Sequence, residues 1–169
     1  MVTAMPNDGA HNSYWRTSDV VFGGPFLLAV ALQLAIPVAL PQGHFRPVCI
    51  VVGAALSLAG LTLIVLARRE LTRHGQPADP GHPTSQVVTS GVFAISRNPL
   101  YLGVVCVLAG IALAVNLPWV LVLLLPSLVL CHSVLIVPEE RYLGAKLGAE
   151  YRTYAATVHR WLGRARRAH

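Results

Sequence analysis

The chain predicts an all-α integral membrane protein: about four transmembrane helices, including a helical hairpin, and a cytosolic C-terminal helical segment. Three observations lead there. Hydrophobic residues make up 54% of the sequence and charged ones 12%, with a mean hydropathy of +0.59, whereas a soluble domain carries roughly 25% charged residues. Four apolar runs, residues 20–40, 47–67, 100–115 and 119–137, contain no Asp, Glu, Lys or Arg. Finally, the 13 Lys and Arg are distributed unevenly. With four spans only Arg46 falls on one side, and the other twelve (Arg16, Arg68, Arg69, Arg73, Arg97 and the seven from Arg141 onward) fall on the opposite side. The positive-inside bias then places both termini and the long polar connection in the cytoplasm, for a protein of the cell inner membrane.

The elements follow in order. Residues 1–19 read as a polar tail; they lack the basic start of a signal peptide. Residues 20–67 supply two spans. Each run is 21 residues long, which at helical rise reaches about 30 Å, one hydrocarbon core. Pro25 sits in the first turns of the first run, and Pro37 and Pro41 mark its end. Gly53, Ser57 and Gly60 place small residues on one face of the second run, where another helix can approach closely.

Residues 68–96 form the one long polar connection. Pro77, Pro80 and Pro83 exclude a regular helix across its middle, and a connection of this length points to function or disorder. The third run leads through Asn116-Leu117-Pro118, a tight turn, into an antiparallel fourth run with a kink expected at Pro126. Beyond Val137 the pattern turns amphipathic. A helix is expected to begin at Pro138, with Glu139 and Glu140 in its first turn and Gly148 as terminator, and helical spacing resumes toward Trp161. Residues 68–161 form the unit carrying the chemistry, and 162–169 a basic tail for anionic lipid.

Several function classes drop out. The net charge of +6 is spread over connections and tail rather than gathered in a tract with aromatics, so no nucleic-acid partner is expected. Cys49, Cys106 and Cys131 lie singly in apolar runs and read as small buried hydrophobes. His74, His82 and Asp79 are irregularly spaced, so no metal is expected. His132 is a polar group within a span, read as a hydrogen-bonding residue before a catalytic one.

The residues that attract chemical interest flank the hairpin. Arg97 precedes the third run, and Glu139 and Glu140 follow the fourth, so an up-down hairpin returns them to one surface. Each alone has a plain structural role: Arg97 and Tyr101 as interfacial anchors, the glutamates as partners of a helix N-terminus. Together they suit a small ligand that carries both a cation and a carboxylate. Carboxylates can hold ribose hydroxyls or an ammonium, a guanidinium can grip a carboxylate, and the faces of Tyr101 and Tyr142 can sit against a cation.

Two motifs in order, G-V-F-x-x-x-R-N-P-L-Y-L-G from Gly91 and P-E-E-R-Y-L-x-x-x-L-G-x-E-Y-x-x-Y-x-x-x-V-x-R-W from Pro138, resemble the isoprenylcysteine carboxyl methyltransferase family, to which the phospholipid N-methyltransferases are related. The resemblance covers roughly half the chain, from about Gly75 to Trp161. It implies an integral membrane methyltransferase that binds S-adenosylmethionine (SAM) at the cytosolic face. By the same resemblance Arg97 and Glu140 are the catalytic candidates, and Gly91, Arg97, Asn98, Tyr101, Glu139 and Glu140 the cofactor-binding ones; Gln76, in the long connection, is a further candidate contact. Asn98 stands where the eukaryotic enzymes have histidine, and Phe93 where a tyrosine is common. The implied partners are the lipid bilayer and a lipophilic or prenylated acceptor, with a carboxylate the acceptor the resemblance favours. A phospholipid amine and a small thiol stay open. So does a different class, a four-span transporter or assembly factor, although none of the seven acids lies inside an apolar run as a proton-coupled exporter would need.

Overall fold

The computed structural model describes residues 19–76 and 85–164. It is all-helical; among the described residues the only strand-like pairing is the isolated bridge between Val158 and Arg164. The middle of the long connection, with its three prolines, lies outside the described residues.

The first run enters through a wide π-helical turn, Asp19–Gly23, and continues as helix α1, Gly24–Ala35. The helix stops short of the expected Leu40. Ile36 precedes Pro37, whose ring disfavours helical backbone in the residue before it, and Ile36 is extended at φ −133°.

Helix α2, Phe45–Arg73, is 29 residues long. It overruns the expected end at Ala67, because residues 68–73 are good helix formers rather than part of the loop. Gly75, left-handed at φ +63°, ends it. Helix α3, Pro99–Val115, begins on a proline and ends on Asn116 at φ 65°. Helix α4, Pro118–Leu130, follows at once, so the tight turn is as expected.

The fourth run differs from its expectation. No fresh helix starts at Pro138. Helix α4 passes through a π-helical turn, Cys131–Ile136, directly into α5, Val137–Thr157. A proline inside a helix clashes with the carbonyl four residues back and leaves it without a donor; a widened turn moves that carbonyl away. Both π-helical turns end two residues before a proline, Pro25 and Pro138. The expected break at Gly148 is present, at φ 57° and ψ −122°.

Two helical stretches are long and apolar enough to cross a membrane: α2 and the continuous rod Pro118–Thr157. The apolar part of that rod ends at the π-helical turn, and α5 lies beyond it. Asp19–Ala35 and Pro99–Val115 are apolar but shorter. Their 17 residues reach about 25 Å, short of a full hydrocarbon core without tilt.

Helices α2 and α3 form the most extensive contact, and it runs backbone on backbone. A Cβ on Gly60 would stand 2.6 Å from the Gly103 carbonyl oxygen, and one on Gly53 2.5 Å from that of Gly110. The stripe on α2 therefore meets a matching pair on α3. At the far end of this seam Arg46 donates to the carbonyls of Leu113 and Ala114, at 3.0 and 2.7 Å, closing the C-terminus of α3. Helix α1 packs on α4 around Ala29, Ala112 and Val120.

Candidate functional site

Three segments meet where α3 begins and α5 leaves the bundle. The approach to α3 supplies Ser96, Arg97 and Asn98, the first turns of α5 supply Glu139 and Glu140, and the hairpin after α5 supplies residues 158–164.

Backbone hydrogen bonds stitch the segments together. Arg97 N–H donates to the His159 carbonyl at 3.1 Å, and Gly163 N–H to that of Ile95 at 2.7 Å. Asn98 Nδ2 donates to the Arg160 carbonyl at 3.0 Å, while its N–H reaches Ser96 Oγ at 3.1 Å. The Tyr154 hydroxyl, buried on the far half of α5, donates to the Phe93 carbonyl at 2.7 Å. Burial pushes its phenol pKa up, so it remains a donor. Asn98 is thus a buried strut between segments, a role its amide fills with no imidazole.

Glu140 is the electrostatic centre. Arg160 holds it in a bidentate fork, Nε to Oε1 at 2.9 Å and Nη2 to Oε2 at 2.7 Å, the geometry that distinguishes arginine from lysine. Arg97 Nη1 adds a third contact, 3.2 Å from Oε1. Two guanidiniums against one carboxylate leave a surplus positive charge. Arg97 also donates to the hydroxyl of Tyr151, yet its Nε is buried without an acceptor.

Glu139, one residue earlier, has a contrasting environment. Among the described residues it pairs with no Lys, Arg or His. Loss of surrounding water pushes its carboxyl up to about 7; a hydrogen bond with Tyr101 works against that rise, and the Glu140 charge adds to it. Tyr101 is itself packed on the apolar cluster of Phe22, Leu124 and Leu135. The glutamate pair therefore comprises one carboxylate saturated by arginines and one with no cation beside it.

Of the expected residues, the structure joins Arg97 to Glu140 and Tyr101 to Glu139, and braces Asn98 on the same hairpin. Gly91 lies elsewhere in the contact pattern, against the Glu70 side chain at φ +57°. There Ser90 Oγ donates to Glu70 Oε1 at 2.5 Å, and Arg73 pairs with Oε2 at 3.5 Å. Gln76 is committed to the loop itself: its amide exchanges hydrogen bonds with Ser85 Oγ and N–H, both at 2.9 Å. Tyr142 interacts with Lys146. The His132 side chain makes no hydrogen bond among the described residues, contrary to the expected one; only its backbone carbonyl accepts, from Val137 N–H. Arg160, absent from the expected set, is the residue the sequence reading missed; its signal was the closing R-W of the second motif.

The donor set suits SAM on two counts. That cofactor has a cationic sulfonium and ammonium, which an unpaired carboxylate such as Glu139 would hold. It also has a carboxylate, for which the unsatisfied Arg97 Nε is a ready donor.

A family model described as phospholipid methyltransferase matches residues 48–150, a range that takes in the glycine seam, Arg97 and both glutamates. Neither a curated protein nor a solved structure matches the chain significantly.

Proposed function

The chain belongs to the phospholipid methyltransferase family, a family of membrane methyltransferases, and from that premise we propose that it moves a methyl group from SAM to a lipid acceptor at the Glu139–Glu140–Arg97 site. The observation that carries this reading is the division of labour within the glutamate pair. Glu140 is fixed by two guanidiniums and serves as framework, while Glu139 has no cation beside it.

Bound SAM supplies an electrophilic methyl on a sulfonium. The chain's own residues do the rest. Glu139 orients the cationic end, and Arg97 Nε binds the carboxylate. Tyr101, hydrogen-bonded to Glu139 and seated on the apolar cluster, keeps water from that side. In-line displacement asks mainly for such alignment.

For the acceptor, the family favours a phospholipid amine. An ammonium must lose a proton before it can attack, so this reading asks for a base other than the Glu139 carboxylate that holds the cofactor. A carboxylate acceptor of the isoprenylcysteine kind needs no base, and is the second reading, supported by the two motifs. The basic-residue count supports four spans with the site and both termini in the cytoplasm.

Calorimetric titration of the detergent-purified protein with S-adenosylhomocysteine tests the cofactor. Saturable binding weakened in Glu139→Gln and Arg97→Ala is expected. A folded protein that binds nothing would overturn the reading.

A further inference from the structure

We propose that the hairpin of residues 158–164, together with Ile95, is a docking surface for the headgroup–acyl boundary of the bilayer. Its depth is fixed by its bonds. Gly163 N–H is held by the Ile95 carbonyl and the Arg97 N–H by that of His159, and α3 begins two residues later at Pro99. From the same hairpin Trp161 packs against the cluster containing Phe22, Cys131 and Leu135, where α1 is entered and the apolar part of α4 runs out. The hairpin thus sits level with the ends of three apolar helices.

At that level it presents mixed chemistry. Leu162 is 66% exposed and Ile95 45%, on adjacent segments joined by backbone hydrogen bonds. Arg164 is exposed beside them. Water would leave the two apolar side chains bare, and the hydrocarbon interior would strip the arginine of partners. The interface accommodates both, and tryptophan is enriched there. The hairpin's backbone is paired in part, by the His159–Gly163 hydrogen bond at 2.8 Å and by its bonds to residues 95–98, which suits the hydrated headgroup boundary rather than the hydrocarbon interior. The bilayer is the partner because the ends of the apolar helices α1, α3 and α4 lie at the hairpin's level.

The test places an environment-sensitive fluorophore on Leu162→Cys, with Cys49, Cys106 and Cys131 replaced by alanine, in nanodiscs of phosphatidylcholine and phosphatidylglycerol. The same label at the exposed Arg152→Cys serves as reference. We expect blue-shifted emission relative to the reference, and quenching several-fold stronger by lipids carrying a nitroxide near the headgroup than by aqueous iodide. Water-like emission with iodide quenching equal to the reference overturns the proposal. So does quenching strongest from a nitroxide deep in the acyl chain, or a label shielded from both, which would mark a protein partner. Because the alanine background removes the fully buried Cys131, Leu162→Trp in the otherwise native chain repeats the measurement: brominated lipids should quench it more than wild type, and no increment overturns the proposal.

Discussion

Arg160 and Glu140, twenty residues apart, are joined at two points, Nε–Oε1 and Nη2–Oε2, so that the hairpin after α5 is tied back to the first turn of that helix. Lysine offers one point charge where this contact uses a planar fork. Arg160→Lys should therefore resemble Arg160→Ala more than wild type. A charged hydrogen bond contributes about 1.5–3 kcal/mol, toward the low end for a guanidinium as open as this one. S-adenosylhomocysteine affinity should fall on the order of tenfold in both variants, as read by calorimetry. Lysine restoring full affinity would mean that charge alone matters.

Glu139 predicts a pH dependence. Its carboxyl is raised to about 7, so it is mostly protonated at pH 6 and mostly ionised at pH 8. A cation gains from the ionised form. Sinefungin, with an ammonium where SAM has its sulfonium, should bind roughly tenfold tighter at pH 8 than at pH 6, and Glu139→Gln should flatten the profile. An unchanged slope in the variant would assign the titration elsewhere.

Tyr154 is a positioning residue rather than a contact. Removing its hydroxyl in Tyr154→Phe leaves the buried Phe93 carbonyl without that donor, at a cost of about 1–3 kcal/mol. The segment carrying Arg97 loosens, so cofactor affinity should drop severalfold while the pH profile keeps its midpoint. A shifted midpoint would mean that Tyr154 acts on Glu139.

The glycine seam predicts a stability effect separable from function. Gly60→Ala puts a methyl 2.6 Å from the Gly103 carbonyl oxygen, and overpacking of this kind costs about 1–3 kcal/mol. Gly148→Ala meets nothing within 4 Å, so its penalty of about 1–3 kcal/mol comes from the left-handed backbone alone. Both should lower the thermal unfolding midpoint in detergent. Cys106→Ala should rescue neither: a Gly60 methyl meets the Gly103 carbonyl oxygen, the Val107 nitrogen and the Cys106 Cβ, which alanine keeps.

Much of this was legible in the sequence because it depends on local chemistry. Charge-free runs predicted the apolar helices, Asn116-Leu117-Pro118 the hairpin turn, and Gly148 the break in α5. Helix ends were misread where a neighbour decides. Ile36 leaves the helix because of Pro37, and residues 68–73 remain in α2 because nothing halts them before Gly75. The continuity of α4 with α5 was hidden because a proline normally signals a helix start, and a widened turn removes its penalty. In the site, spacing brought Arg97 and Glu140 together. It could not distinguish the two adjacent glutamates, whose difference arises from Arg160, twenty residues away in the chain, and Tyr101, on another helix.

With backbone pressed on backbone at Gly53–Gly110 and Gly60–Gly103, α2 and α3 form one stiff post. Glu70 and Arg97 ride on its upper end at a fixed separation. Sliding either helix would drive carbonyl oxygens into α-carbons, so that half of the bundle has no soft direction. Movement that admits or releases a ligand must come from the opposite side, where the π-helical turn at Cys131–Ile136 and the break at Gly148 leave two joints in a single rod.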